Sequence, residues 1–141
     1  MSCLRSASLA LMIAVASVAT VSQAAAETFV AISNTAMAIT GDIEFDDFEI
    51  VFENGEKLVF DELVGDTFMV SGEEVGASVY SVRDPADPVL NNGNRLCGNG
   101  DVTYVAAWSA VFDDSLMVVA VFDTQDVPGS DADMCASYTY E

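Results

Sequence analysis

Asn54-Gly55 stands between two β-type runs, Phe48-Glu49-Ile50-Val51-Phe52-Glu53 before it and Glu56-Lys57-Leu58-Val59-Phe60 after it. Both residues of an Asn-Gly pair accept positive φ, which matches the right-handed twist of paired strands. The segment therefore predicts a hairpin closed by a two-residue turn. An apolar hairpin face has to be covered, and the remaining chain offers strands to cover it. No stretch carries a convincing amphipathic helix period.

Short β-type runs recur on both sides of this hairpin. Thr28 to Ile32 and Ala36 to Thr40 predict the first two strands, although Asn34 to Ala38 also admits a turn of helix. Ile43 to Asp46 alternates, and Asp46-Asp47 breaks the alternation as a bulge or bend would. Thr67 to Ser71 and Ser78 to Arg83 predict further strands, the latter ended by Asp84-Pro85. Asp84 to Gly100 holds Pro85, Pro88 and an Asn/Gly cluster, and predicts a long surface loop.

Val102 to Phe112 and Ser115 to Phe122 are the most apolar runs, with Asp113-Asp114 between them predicting a second hairpin. Continuous apolarity implies strands covered on both faces, or a barrel wall around an apolar interior. Asp123 to Asp133 reads as an acidic loop, and Met134 to Tyr140 alternates again as a last strand. Eight to ten strands at this spacing predict an all-β domain. Its form is a single small antiparallel barrel or sandwich of about eight strands.

The first 26 residues stand apart from this pattern. Arg5 is the only charge before Glu27, and the stretch Leu9 to Val21 is apolar but for Ser17 and Thr20. Small residues follow, Ser22-Gln23-Ala24-Ala25-Ala26. A charged head, a short apolar core and a small-residue exit make a secretory signal, cut after Ala24 or, as we favour, after Ala26. A membrane anchor needs about 20 apolar residues, more than this stretch provides. Cys3 precedes the apolar stretch, where it cannot serve as a lipoprotein anchor. Residues 1–26 are thus expected to be removed, leaving residues 27–141 as one acidic all-β domain, periplasmic or secreted.

Two cysteines then remain, Cys97 and Cys135. An even pair in an oxidising compartment reads as a disulfide, here tying the loop before the Val102 strand to the last strand. A metal or redox pair is disfavoured, because no Cys-x-x-Cys and no histidine occur.

Several segments together resemble a group of small exported proteobacterial proteins with no assigned activity. They are Thr35 to Asp42, the Glu53-Asn54-Gly55 hairpin, Asn92-Gly93-Asn94-Arg95-Leu96-Cys97-Gly98, Thr103 to Trp108, Ala120 to Phe122, and Cys135 to Glu141. The resemblance covers most of residues 27–141. It implies export, the disulfide and one compact domain, and implies nothing about activity.

Charge narrows the function classes. The whole chain carries −19, and loss of Arg5 with the signal leaves 23 acids against Lys57, Arg83 and Arg95, a net −20. Such a surface cannot neutralise phosphates, which excludes nucleic acid, and anionic membranes are equally poor partners. Catalysis has no candidate residues: the chain holds no histidine, no Gly-x-Ser-x-Gly and no phosphate-cradling loop. The expectation is a non-enzymatic protein.

Three binding roles remain. The leading one is a module for a cationic protein, by analogy of size, compartment and charge with bacterial lysozyme inhibitors, whose motifs are absent here. Its expected surface is the pair of loops carrying Asn91, Asn94 and Arg95, and Asp123, Asp126, Asp131 and Asp133. The disulfide would bring these loops near each other. A second role is calcium held by Asp123, Asp126, Asp131 and Asp133, or by Asp113 with Asp114, although the spacing is not that of an EF-hand. The third is a small apolar ligand inside a barrel lined by Trp108, Tyr104 and Phe122. No other cofactor is expected.

Overall fold

A computed structural model describes Ala19 and residues 25–141. The expected signal segment, but for Ala19 and Ala25-Ala26, lies outside the described residues. Eight strands run in chain order: β1 (Glu27–Phe29), β2 (Ile43–Phe45), β3 (Glu49–Phe52), β4 (Lys57–Val70), β5 (Glu73–Ala86), β6 (Val102–Ala110), β7 (Asp113–Phe122) and β8 (Ala136–Tyr140). Each pairs antiparallel with its chain neighbour, giving a meander in the order β1 to β8. The segment after β1 then crosses to β8. Val30 and Glu141 exchange both backbone hydrogen bonds at 2.9 Å, and Ile32 N–H donates to the Thr139 carbonyl at 3.0 Å. An Ala31–Tyr140 bridge sits between them. The result is a nearly closed barrel rather than a sandwich.

Period-2 alternation fills the interior. Ile43, Ile50, Phe52, Leu58, Phe60, Val105, Val119, Val121, Tyr138 and Tyr140 all point inward and are buried. The opposite faces of β5, β6 and β7 are buried too. Val79, Ala106, Trp108, Ala120 and Phe122 form a second, outer core beneath Phe68 of β4. This accounts for the continuous apolarity of β6 and β7: the wall is covered on both sides.

The cover is the far half of the β4–β5 hairpin. Register shifts between Phe60 and Thr67 bend β4. Gly65 lies among them, and a Cβ there would press on Val79 at 3.4 Å. Beyond the bend, Thr67 to Val70 pairs with Glu73 to Gly76 as a two-stranded ribbon, with one parallel bridge from Met69 to Ser130. It lays Phe68 on the outer wall, 5.1 Å from Trp108 and 5.9 Å from Phe122 between ring centres. Ala106 and Ala120, paired across β6 and β7, leave the hollow that the ring fills. The acidic loop hugs the same ribbon: Met69 N–H donates to the Gly129 carbonyl at 2.9 Å.

Several sequence expectations are corrected. Ala36 to Thr40 is not a strand but a wide helical turn, closed by Gly41 N–H donating to the Ala36 carbonyl at 2.8 Å. Ala36 and Thr40 point into the core from it, a spacing of four that suits a helix as well as a strand. The first strand stops at Phe29, and its continuation pairs with β8 rather than β2. The short strands at 67–71 and 78–83 are parts of two long ones, and β5 runs past Asp84-Pro85 to Ala86.

Turn chemistry differs as well. The Asn54-Gly55 hairpin forms, but its loop has three residues, because Phe52 N–H donates to the Glu56 carbonyl and only Gly55 has positive φ. The two-residue turn with positive φ at both positions is Ser71-Gly72 (49° and 84°), which the sequence did not advertise. In the β6–β7 hairpin the turn is Val111-Phe112, and Asp113-Asp114 already belong to β7.

The disulfide joins Cys97 and Cys135 as expected. The loop from 87 to 100 is only partly a surface loop, since Leu90 and Leu96 drop into the core. Buried Asp87 holds its shape, accepting Cys97 N–H at 3.1 Å and Gly98 N–H at 2.7 Å. Tyr138 donates from inside to the Leu96 carbonyl at 2.9 Å. The Tyr140 and Thr40 hydroxyls meet at 2.7 Å under the helical turn. One end of the barrel is thereby closed by the helical turn, this loop and the disulfide. Among the described residues no helix is long and apolar enough to cross a membrane.

Candidate functional site

The other end of the barrel is open. β1 begins there, the Asp46–Phe48 bend joins β2 to β3 there, and the β6–β7 hairpin ends there. Between them lies a cup of about 500 Å³. Phe29, Phe45, Tyr80, Ala107 and Met117 line its wall and floor. Phe45, Phe60 and Tyr80 form one aromatic cluster: Tyr80 stacks on Phe60 at 4.4 Å, and Phe45 tilts against both at 5.6 and 6.1 Å.

Four carboxylates ring the mouth, Glu27, Asp46, Asp47 and Asp114. Among the described residues no basic side chain lines the cup. Asp46 is placed by the chain, since its Oδ1 accepts Phe48 N–H at 2.7 Å and Glu49 N–H at 2.8 Å. Asp47 accepts the Tyr80 hydroxyl at 2.8 Å. Burial, and then the bond to the Asp47 carboxylate, push the Tyr80 phenol up to about 12, so it stays a neutral donor at physiological pH.

A second hollow lies outside the barrel wall, between the ribbon tip, β8 and the β6–β7 hairpin. It measures about 560 Å³, with Val70, Trp108, Val118 and Met134 along it and Val111 and Phe112 at its edge. Phe112 is 86 % exposed and Val111 59 %, at the very tip of the hairpin. Glu73 and Asp131 flank the same hollow.

The three cations of residues 27–141 are all engaged internally. Lys57 pairs with Glu49 at 3.0 Å, Arg83 with Asp61 at 3.7 Å, and Arg95 donates to the Asp87 carbonyl. Nothing positive therefore offsets the acids facing solvent.

The loop residues expected to bind a partner are dispersed and mostly occupied. Asn91 donates to Glu53 at 3.3 Å, and Asn94 to the Ala38 carbonyl at 3.4 Å. With Arg95 they fasten the closed end of the barrel. Asp123 lies beside Gly100, where a Cβ would come within 3.4 Å of its carboxylate. Asp131 instead accepts Ser71 N–H at 3.2 Å, at the ribbon tip. The disulfide thus brings the two loops together at Gly100 and Asp123 but not at Asp131.

Among the described residues no three acidic, cysteine or histidine side chains are grouped so as to hold a metal ion, Asp123, Asp126, Asp131 and Asp133 included. Trp108, Tyr104 and Phe122 are corrected: they face the outer core, not the interior. The residues that do line the cup escape a sequence reading because they come from five strands, β1, β2, β5, β6 and β7, and from the bend after β2. In Phe45-Asp46-Asp47, however, an aromatic beside two acids at a strand end is a readable sign of a polar-rimmed mouth. Compared with known proteins, the chain matches no family model, no curated protein and no solved structure.

Proposed function

We propose that this protein is an exported, non-enzymatic binding module for a cationic protein, and that it engages that partner through the β6–β7 hairpin tip and the outer hollow beside it. The observation that carries the reading is Phe112. A two-residue hairpin turn is ordinarily built from Gly, Asn or Asp, and here it holds Val111 and Phe112, both standing in solvent. Their exposure does nothing for the barrel. Large aromatic side chains beside a partly apolar hollow are the usual anchors of protein interfaces.

The charge of the partner follows from the surroundings. Glu73 and Asp131 line the hollow beside the anchor and Asp113 follows Phe112 in the chain, and among the described residues no unpaired basic side chain balances them. An acidic rim speeds the encounter with a basic protein and makes it salt-dependent, while the buried aromatic sets how long the complex lasts.

Lysozyme and a second basic protein of similar charge are the probes, titrated onto the disulfide-bonded domain at low and high salt. The expected result is binding to one of them that survives moderate salt and weakens at least ten-fold in Phe112→Ser, with the melting temperature unchanged. Equal, salt-sensitive binding of both basic proteins by wild type and Phe112→Ser reduces the interaction to bulk charge and overturns the anchor. No binding to either at low salt overturns the reading for these partners.

A further inference from the structure

We propose that the open cup of the barrel is a separate binding site for a small organic cation, an ammonium group carried on an apolar body.

The argument starts from size and lining. A hollow of about 500 Å³ is in the range of sites that enclose a small molecule, roughly 300–1,000 Å³. The side chains of the core leave it unfilled. Phe29, Phe45, Tyr80, Ala107 and Met117 give it an aromatic and aliphatic wall, with serines between them. A hydrated metal ion gains nothing from such a wall, and Asp46 and Asp47 have no third ligand beside them. An apolar body does gain, by leaving water.

The mouth sets the charge. A neutral or anionic ligand would have to pass Glu27, Asp46, Asp47 and Asp114 without compensation, and an anion would be repelled by all four. A cation meets them favourably and also meets the negative faces of Phe45, Phe29 and Tyr80, an attraction best realised by ammonium groups. The Tyr80 hydroxyl is already given to Asp47. Ser78 and Ser109 also line the cup, so the preference for an ammonium over a carboxylate or phosphate comes from the four rim carboxylates, which favour a cation and repel an anion.

The site is independent of the outer hollow. Trp108 borders both hollows, so its fluorescence cannot tell them apart. The test therefore reads the Met117 methyl group by NMR, and the heat of binding by calorimetry. The probe is benzyltrimethylammonium, compared with its uncharged isostere neopentylbenzene and with benzenesulfonate. Titration of the cation is expected to shift Met117 in a saturable way. Asp47→Asn and Asp114→Asn are each expected to weaken it about five-fold at low salt, and Phe112→Ser to leave it unchanged.

Ala107→Phe, which fills the cup, is expected to abolish the shift. A second variant, Ala107→Val, occupies less of it and guards against loss of folding; it is expected to weaken binding at an unchanged melting temperature. Three results overturn the proposal. They are no saturable Met117 shift with the cation, equal binding of cation and uncharged isostere, or a shift that persists in both Ala107 variants.

Discussion

Phe68 gives the sharpest check on the architecture, because the whole outer layer depends on where its ring lies. It is 2 % exposed, set over Ala106 and Ala120 and between Trp108 and Phe122. Replacing a buried Phe with Ala costs about 3–5 kcal/mol, more where the surroundings cannot close over the gap. Here the floor is two alanines on hydrogen-bonded strands, which cannot move up to meet the ribbon. Phe68→Ala is therefore expected near 4 kcal/mol. With a urea slope of about 1.5 kcal/mol per molar for a domain of this size, the midpoint falls by about 2–3 M. The chain holds a single tryptophan, so emission reports Trp108 alone, and uncovering it shifts that emission to the red. Phe68→Leu keeps most of the volume and is expected to cost about 1.5 kcal/mol or less. A Phe68→Ala loss under about 1 kcal/mol, with Trp108 emission unmoved, refutes a ribbon laid on the wall.

Two further outcomes are expected. Cys97→Ser with Cys135→Ser frees a loop of 38 residues, and loop-closure entropy sets an upper loss of about 4 kcal/mol; urea unfolding measures it, and an unchanged midpoint contradicts a bridge that closes the barrel end. Burial pushes Tyr80 and Tyr138 up to about 12 and Tyr140 still higher. The fold thus prefers the neutral phenols: their contribution is fully present below pH 10, the ordinary value, and is lost as pH rises from 10 toward 12. Tyrosinate absorbance followed alongside the urea midpoint checks this, and a midpoint that is flat across that range contradicts it.

Much of the barrel is legible in the chain, because a half-buried antiparallel strand writes its two faces in alternation. β8 shows this with Ala136, Tyr138 and Tyr140 inward, and the apolar β6 and β7 announce cover on both sides. The cysteine pair and the Asn54-Gly55 hairpin follow from chemistry that acts over short distances. What escapes is set by tertiary context. Ala36 and Thr40 reach the core as well from a helical turn as from a strand, so the pattern alone cannot choose. The Val111-Phe112 turn breaks turn chemistry, and rules of that kind are broken where a residue is kept for something other than folding. The cup collects side chains from β1, β2, β5, β6 and β7, and only closure of the sheet puts them around one space. The candidate loop residues fail for the complementary reason: polar residues rich in hydrogen-bond capacity are as useful for fastening a loop as for meeting a partner.

The seam between residues 30–32 and 139–141 has a kinetic consequence. The strand-to-strand pairings all join chain neighbours, so each can form as its own hairpin with a modest loop to close, and only the Met69–Ser130 bridge is otherwise distant among the described residues. The Ala31–Tyr140 pairing spans nearly the whole domain, and the entropy of closing so long a loop places it after the rest. The barrel is a ribbon first and a cylinder last. The same ordering run backward makes the seam the first place to open, where amide hydrogens at Val30 and Ile32 exchange ahead of those in β6 and β7. While it is open, two unpaired strand edges face water, and they are the edges through which one copy of this chain could pair with another.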